Sequence, residues 1–256
     1  MDQRTDIGNL SNFSRGLLDL LDRVEYRRIV TSEDMETVGV LRSRSYARSG
    51  IFEKQYIGSS FVEDSDFDPA VYVFGVYVDE QLLSTLRVHR VTRENRSASS
   101  ARLFPDVLDP MLDRGMTFID PERFAVDADF SDDFPGLPYL TLRIATMASV
   151  YFNVDGCLAC CVPSHSAFYK RVFGFNQLVE PRIPEGVCVP VCLMMENISN
   201  RVDVARRYPV FKSHPYEQRL MFDRTLDHGL APLSILPTAR YADAVRRPMP
   251  MSLFAS

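Results

Sequence analysis

The stretch FIDPERFAVD, residues 118–127, decides how this chain is read. Phe118, Ile119, Phe124, Ala125 and Val126 give it the apolar content of a buried strand, yet Asp120, Glu122 and Arg123 sit at its centre. Beside them is Pro121, which has no N–H to give to a ladder. Charges at the middle of a buried strand fit a strand that lines a cleft. By the two-residue period Asp120 and Glu122 share one face, and Arg123 faces the other way unless a bulge intervenes. Pro121 predicts such a bulge, or an unpaired edge, at its own position. The competing reading is a structural ion-pair network around Arg123, because a buried arginine is normally paired.

Outward from this strand the elements alternate. Upstream, residues 9–23 place Leu10, Phe13, Leu17, Leu18 and Leu21 at helical spacing. VEYRRIVTS, from Val24, alternates like a strand. A helix follows with Ser32 as its N-cap, acids in its first turn and Gly50 as its stop. Residues 51–69 read as a long acidic loop. AVYVFGVYVDEQLLSTLRVHRVT is a hairpin turning at Asp79-Glu80. An arginine-rich connection and a short helix near LFPDVLD lead into the opening strand, 117–126. Downstream come the loop ADFSDDFPGLP, a helix over 139–153, a buried strand CLACCVP and a helix SHSAFYKRVFGF with Ser164 as N-cap and Gly174 as left-handed C-cap. NQLVEPR and GVCVPVCLMMEN close as two more strands. This order predicts an α/β (α+β) domain with a central, mostly antiparallel sheet and helices on both faces, over 24–197. Residues 1–23 form a helical extension before it, and 198–256 a helix and loop extension after it.

With 46% hydrophobic and 25% charged residues the chain has an ordinary globular composition. No apolar run is long enough to span a bilayer and the N-terminus lacks a signal pattern, so the expectation is a cytoplasmic protein without integral membrane association. The net charge of −5 argues against a general nucleic-acid binder. One stretch runs the other way: LRVHRVTRENRSASSAR carries Arg87, Arg90, Arg93, Arg96 and Arg102 against Glu94. It reads either as a solvated loop or as a dock for an acidic partner. Cys157, Cys160, Cys161, Cys188 and Cys192 are unmatched by any second C-x-x-C pair, and His89, His214 and His228 lack ligand spacing, so no metal site is expected. Ser164-His165 lacks a G-x-S-x-G elbow and is not read as a nucleophile.

The element order, with FYKRVFGF after the fifth strand, resembles the GNAT N-acyltransferase superfamily. That fold splays its fourth and fifth strands, here 117–126 and 157–162, so that an acyl thioester enters the gap. A narrower resemblance is to N-acyl amino acid synthases and the related acyl-homoserine-lactone (autoinducer) synthases. It rests on Arg42-Ser-Arg-Ser-Tyr46 in the first helix of the domain, and on the acidic EDSDFDPAVYVFG with Asp64, Asp66 and Asp68. It rests also on STLRVHRVT with Arg87, and on Asp120-x-x-Arg123 in the fourth strand. It covers roughly 24–197. The lactone synthases carry Glu where Asp120 stands, and a tryptophan for which Phe52 is the candidate substitute, since the chain has no Trp. The pyrophosphate loop of ordinary GNAT enzymes is replaced by the acidic DFSDDFPGLPY, which disfavours coenzyme A and favours a carrier-protein thioester.

The resemblance implies an acyltransferase. A medium or long fatty acyl group passes from acyl carrier protein, or acyl-CoA, to the α-amine of an amino acid acceptor. The attack is direct, without a covalent enzyme intermediate and with no tightly bound cofactor. Such chemistry needs a base, N–H donors for the carbonyl oxygen, a cation for the acceptor carboxylate and an apolar tunnel. The candidate catalytic residues are Glu122 or Asp120 as base, with Arg123 orienting a loop carboxylate such as Asp66 or Asp68. Arg87 is the candidate for the substrate carboxylate or a phosphate. Arg42 and Tyr46, at i and i+4, share a helix face and would cover the phosphopantetheine arm, unless they are simply part of an amphipathic helix. Arg90, Arg93, Arg96 and Arg102 are the candidate carrier dock. Leu142, Met147, Tyr151 and Phe152 read as core or tunnel. Two alternatives stay open: a lactone synthase using S-adenosylmethionine, and a non-catalytic protein of this fold that binds a lipid or partner.

Overall fold

The computed structural model describes residues 10–53, 57–127, 129–130, 134–184, 187–226 and 234–242. In chain order these form α1 (Asn12–Leu21), β1 (Val24–Arg28), α2 (Ser32–Ser49), a 3-10 turn (Asp64–Phe67), β2 (Val71–Val78) and β3 (Gln81–Val91). Next come α3 (Ser99–Leu103), α4 (Pro105–Asp113), β4 (Phe118–Val126), α5 (Leu137–Tyr151), β5 (Gly156–Cys161) and α6 (Pro163–Phe173). β6 (Asn176–Gln177), β7 (Cys192–Met195), α7 (Arg201–Arg207), α8 (Pro215–Phe222) and β8 (Ser234–Ile235) follow, with short 3-10 turns between the last of them. One sheet runs β6-β7-β5-β4-β3-β2-β1-β8. Every pairing is antiparallel except β4 with β5.

The parallel pairing is short. Phe118 faces Gly156 and Ile119 faces Cys157, and there it stops. Beyond it β5 pairs only with β7, from Leu158 to Cys161, while β4 continues along β3. The two strands therefore part at Asp120, as the resemblance implied. Pro121 stays in register opposite Val88. The pairing with β5 has already stopped at Ile119, so of the two alternatives Pro121 sits at an unpaired edge and not at a bulge. The bulge lies further on. Thr85 pairs with Ala125 and Arg87 with Glu122, leaving Arg123 and Phe124 both opposite Leu86. Arg123 takes φ 52°, a left-handed conformation rare for a residue with a side chain. The bulge turns Arg123 toward the same side as Glu122, overriding simple alternation.

Several ends differ from expectation. Thr31, not Ser32, caps α2: its hydroxyl accepts from the Asp34 N–H at 3.2 Å. Gly50 ends α2 at φ 65°, as its position predicts. α6 begins at Pro163 with no side-chain cap, so Ser164 lies inside its first turn. Proline pre-sets φ at that position and makes a capping serine dispensable. The acidic loop contains the 3-10 turn, and the short helix before β4 is a pair, α3 and α4. The last two strands shrink to two and four residues, because Pro181, Pro184 and Pro190 interrupt the ladder. Asp79 and Glu80 both adopt positive φ, the geometry of a tight hairpin turn.

On one face of the sheet α1, α5 and α8 share a core with Phe74, Leu86 and Val88. α3 and α4 cover β5 and β7 on the other face, and α2 covers β2 through Met35 and Val38. The described residues after 198 contribute to the main core: Val204, Val210, Phe211, Met221, Phe222 and Ile235 are buried in it. They are pinned by Arg143 of α5, whose guanidinium bonds Glu217 of α8 at 2.9 Å and the carbonyls of Val210 and Lys212 at 2.7 and 2.8 Å. Among the described residues no helix is long and apolar enough to cross a membrane.

Candidate active site

Arg87 on β3 and Glu122 on β4 are cross-strand neighbours, and the Arg87 Nε donates to Glu122 Oε2 at 2.7 Å. The other end of the guanidinium reaches the loop before β2: Nη1 donates to Glu63 Oε2 at 2.9 Å, Ser65 Oγ at 2.8 Å and Asp66 Oδ1 at 3.2 Å. From α2, Arg42 donates to both oxygens of Asp66 at 3.0 and 2.9 Å. Arg123, swung over by the bulge, grips Glu63 with Nε and, at 2.8 Å, Nη2. Asp66 in turn accepts the Glu63 N–H at 2.9 Å, which closes the 3-10 turn. Three guanidiniums thus meet three carboxylates, Glu63, Asp66 and Glu122, and the charges cancel. Buried charges are tolerable only when matched in this way.

Asp120 is the fourth carboxylate. It is opposite His89 in the ladder and almost fully buried. Its hydrogen-bond donors are the Ser100 N–H at 3.0 Å and the Ser100 hydroxyl at 2.9 Å. Among the described residues no guanidinium pairs with it. Burial, and next the negative charge of Glu122, push its pKa up to about 8. Burial would raise Glu122 too, but the charges of Arg87 and Arg123 and the Ser99 N–H outweigh it and hold its carboxyl below the ordinary value. Glu63, also partly buried, is drawn down to about 2 by Arg123 and Arg87. The surroundings thus drive the pKa values of these two neighbouring carboxyls, Asp120 and Glu122, apart.

A cavity of about 370 Å³ opens where β4 and β5 part. Asp120, Glu122, Arg123 and Phe124 line one side, with Ser99, Ser100 and Arg102 of α3 next to them. Cys160, Cys161 and Val162 of the β5 end, Tyr169 of α6, and Val187 and Val191 form an apolar wall. Tyr46 and Phe52 close a third side. Tyr46 packs edge-on against Phe52 and Phe61 at 5.1 Å, and burial pushes its hydroxyl up to about 12. The Arg123 guanidinium lies 5.6 Å from the Phe52 and Phe61 rings. The site therefore combines two carboxyls of opposite pKa shift, a charge-matched ion network and an apolar slot.

The sequence-predicted residues divide. Asp120, Glu122, Arg123 and Tyr46 line the cavity. Arg42, Asp66 and Arg87 lie behind it in the ion network, where Arg42 bonds Asp66 through Nη1 alone. Arg87, with all three nitrogens on protein groups, does not face the cavity as a carboxylate holder would, and Arg42 is buried rather than poised as a cover. Arg123 bonds Glu63 instead of Asp66 or Asp68. Asp68 stands apart, accepting from Ala70 N–H at 2.7 Å and Ser97 Oγ at 3.0 Å. Of the basic stretch, Arg90 lies 5.1 Å from the Phe152 ring, Arg96 is bonded to Asp109 and Asp113, Arg93 is exposed and Arg102 reaches the cavity. Residues 128 and 131–133 of the acidic stretch at the pyrophosphate position lie outside the described residues. Glu63, Ser99 and Ser100 were missed. Glu63 was one acid among several in its loop, and only the Asp66 side chain returning to the Glu63 N–H, a capping-box pattern, marks it out.

The fold is shared with solved structures at low identity. The N-acyl amino acid synthase FeeM from uncultured soil microbes superposes with a TM-score of 0.59 at 15% identity, over 71% of this chain and 94% of that one. TofI, solved in a ternary complex with an inhibitor and MTA, gives 0.52 at 13% identity over 72% and 99%. BjaI, a CoA-dependent acyl-homoserine lactone synthase solved with MTA, gives 0.51 at 12% over 72% and 89%. No curated protein matches the chain in sequence. The family model for the N-acyl amino acid synthase FeeM matches residues 37–197, a span that contains the whole ion network, the Asp120–Glu122 pair and both splayed strands. On that match the chain is an acyltransferase and belongs to the FeeM family of N-acyl amino acid synthases.

Proposed function

We propose that the protein transfers a medium or long fatty acyl group from a thioester to the α-amine of an amino acid, with Asp120 as the general base. The observation that carries this reading is the juxtaposition of Asp120, with its raised pKa, and the apolar slot in one cavity at the point where β4 and β5 part. The acyl chain lies against Val162, Tyr169, Val187 and Val191, and the thioester carbonyl lies in the gap. Asp120 takes a proton from the acceptor amine; the nitrogen attacks the carbonyl carbon, the C–N bond forms, and the C–S bond breaks. The proton held by Asp120 then passes to the departing sulfur. Glu122 stays ionised on Arg87 and keeps Asp120 basic. Backbone N–H groups released by the bulge at Arg123–Phe124 face the developing oxyanion.

The donor in this reading is a carrier-protein thioester. Its support is the acidic sequence DFSDDFPGLPY, which takes the place of the pyrophosphate loop of ordinary GNAT enzymes in the resemblance, and the exposed Arg93. Arg96, already held by two carboxylates, contributes less to such a dock.

Mass spectrometry of organic extracts from cells overproducing the protein, with an Asp120→Asn strain as control, tests the reaction. Fatty acids amide-linked to an amino acid, absent from the control, are expected. Release of methylthioadenosine with acyl-homoserine lactones would replace this reading by the lactone-synthase one. Amide products at equal levels from both strains would remove Asp120 from the mechanism.

A further inference from the structure

An acceptor amino acid brings a carboxylate as well as an amine, and both hang on one carbon. A cation for that carboxylate must therefore lie within one side chain of the base. Arg87 is committed to Glu122, Glu63 and Asp66, and Arg42 to Asp66 behind the cavity wall. Arg123 gives Nε and Nη2 to the two oxygens of Glu63, so its charge is already matched. His165 stands across the cavity, on α6 at the end of β5. That leaves Arg102, which lines the cavity, is exposed, and has no ion-pair partner among the described residues.

Arg102 does not stand alone. Ser99 is three residues earlier on α3, one turn away on the same face. Ser99 is among the residues that line the same cavity, and its hydroxyl oxygen is buried and makes no hydrogen bond among the described residues. A buried hydroxyl without a partner is rare and points to a group that completes it. The same turn is docked on the acid pair: the Ser99 N–H donates to Glu122 and the Ser100 N–H to Asp120. The backbone of α3 thus places Ser99 Oγ and Arg102 beside the proposed base without offering its own amides to a ligand.

We propose that Ser99 and Arg102 of α3 form the clamp for the acceptor's α-carboxylate, selecting amino acids over plain amines. This rests on the acyl-transfer reading and adds to it the side chains that recognise an acid. It also moves Arg102 from the donor side of the reaction to the acceptor side. A guanidinium with a hydroxyl beside it supplies two or more charge-assisted bonds to one carboxylate, enough to orient the amine.

The test offers the purified full chain a mixture of proteinogenic amino acids, or the corresponding carboxamides, with a dodecanoyl thioester donor. Products are read by mass spectrometry. Arg102→Met should lower kcat/KM for the acids at least ~30-fold more than for the carboxamides, as loss of one partner of a hydrogen-bonded charge pair does. The loss should lie in the acceptor KM, with partial rescue in Arg102→Lys and a smaller effect in Ser99→Ala. An equal loss for acids and carboxamides, or a rise confined to the donor KM, would overturn the clamp. Saturation-transfer NMR of the amino-acid mixture reads binding without turnover. Signals lost in Arg102→Met support the clamp; signals unchanged by it, or missing with the native chain, overturn it. A native chain that binds amino acids but acylates nothing would overturn the acyl-transfer reading alone.

Discussion

Asp120 differs from the other carboxylates of the cluster in having hydroxyl and amide donors instead of a guanidinium, and its chemistry follows from that. With a pKa of about 8 it is a competent base only as pH rises toward that value, so kcat/KM should climb through pH 7–8 and level above it. Asp120→Asn should abolish that limb and reduce turnover by about 10²–10⁴-fold, the usual worth of a general base, measured in a donor-thiol release assay. The same residue should cost stability. A carboxyl with a folded pKa above its unfolded value of 3.8 binds more protons folded than unfolded, so stability falls as pH rises from 3.8 through about 8. Asp120→Asn should therefore melt a few degrees higher than the native chain at pH 8. Glu63 has the opposite sign. Its folded pKa of about 2 lies below 4.5, so it stabilises the fold above pH 4.5 and loses that effect as pH falls toward 2. Glu63→Gln should flatten that part of the pH–melting curve; an unchanged acid limb would place the charge effect elsewhere.

At the scale of elements, the site depends on how closely α2 lies over the loop that supplies Glu63, Ser65 and Asp66. Gly39 of α2 touches that loop so tightly that a Cβ would collide with Ser60 Oγ and would stand 2.7 Å from Val62. Gly39→Ala should cost about 1–3 kcal/mol by overpacking, and should lower activity as well, because the displaced loop carries the carboxylates that hold Arg87. Chemical denaturation with parallel activity assays checks both. Little of this contact was legible in the sequence, where Gly39 is only a glycine within a helix. What was legible had a local cause. Gly50 and Gly174 marked helix ends through backbone conformation, and the alternation around Asp79-Glu80 marked the hairpin. The mixed character of FIDPERFAVD marked a strand beside a cleft. Pairings across the chain left no such trace: Arg123 with Glu63, Ser100 with Asp120, and the bulge two residues past the proline that suggested it. Those depend on which residue faces which after the sheet has closed, and periodicity along one segment carries no information about that.

At the scale of the molecule, described residues after 198 pack into the main core. Glu217 is buried against Arg143, and it also accepts the Thr238 N–H at 3.0 Å. Glu217→Ala leaves a buried guanidinium uncompensated and should cost about 3–5 kcal/mol, a fall of roughly 10 °C in melting temperature for a chain of this size. A chain ended at residue 197 should not fold, since Val210, Phe211, Met221 and Phe222 would be missing from the core. Circular dichroism of both variants decides the matter. The sheet has a further consequence through its margins. Among the described residues its two outermost strands, β6 and β8, are two residues each. An incoming extended chain finds almost no row of free amides and carbonyls to zip onto, although the interior strands run to eight and eleven residues. A sheet this rich in valine and aromatic residues would otherwise be a template for aggregation, so lengthening either margin is the change most apt to turn this enzyme into a fibril-former.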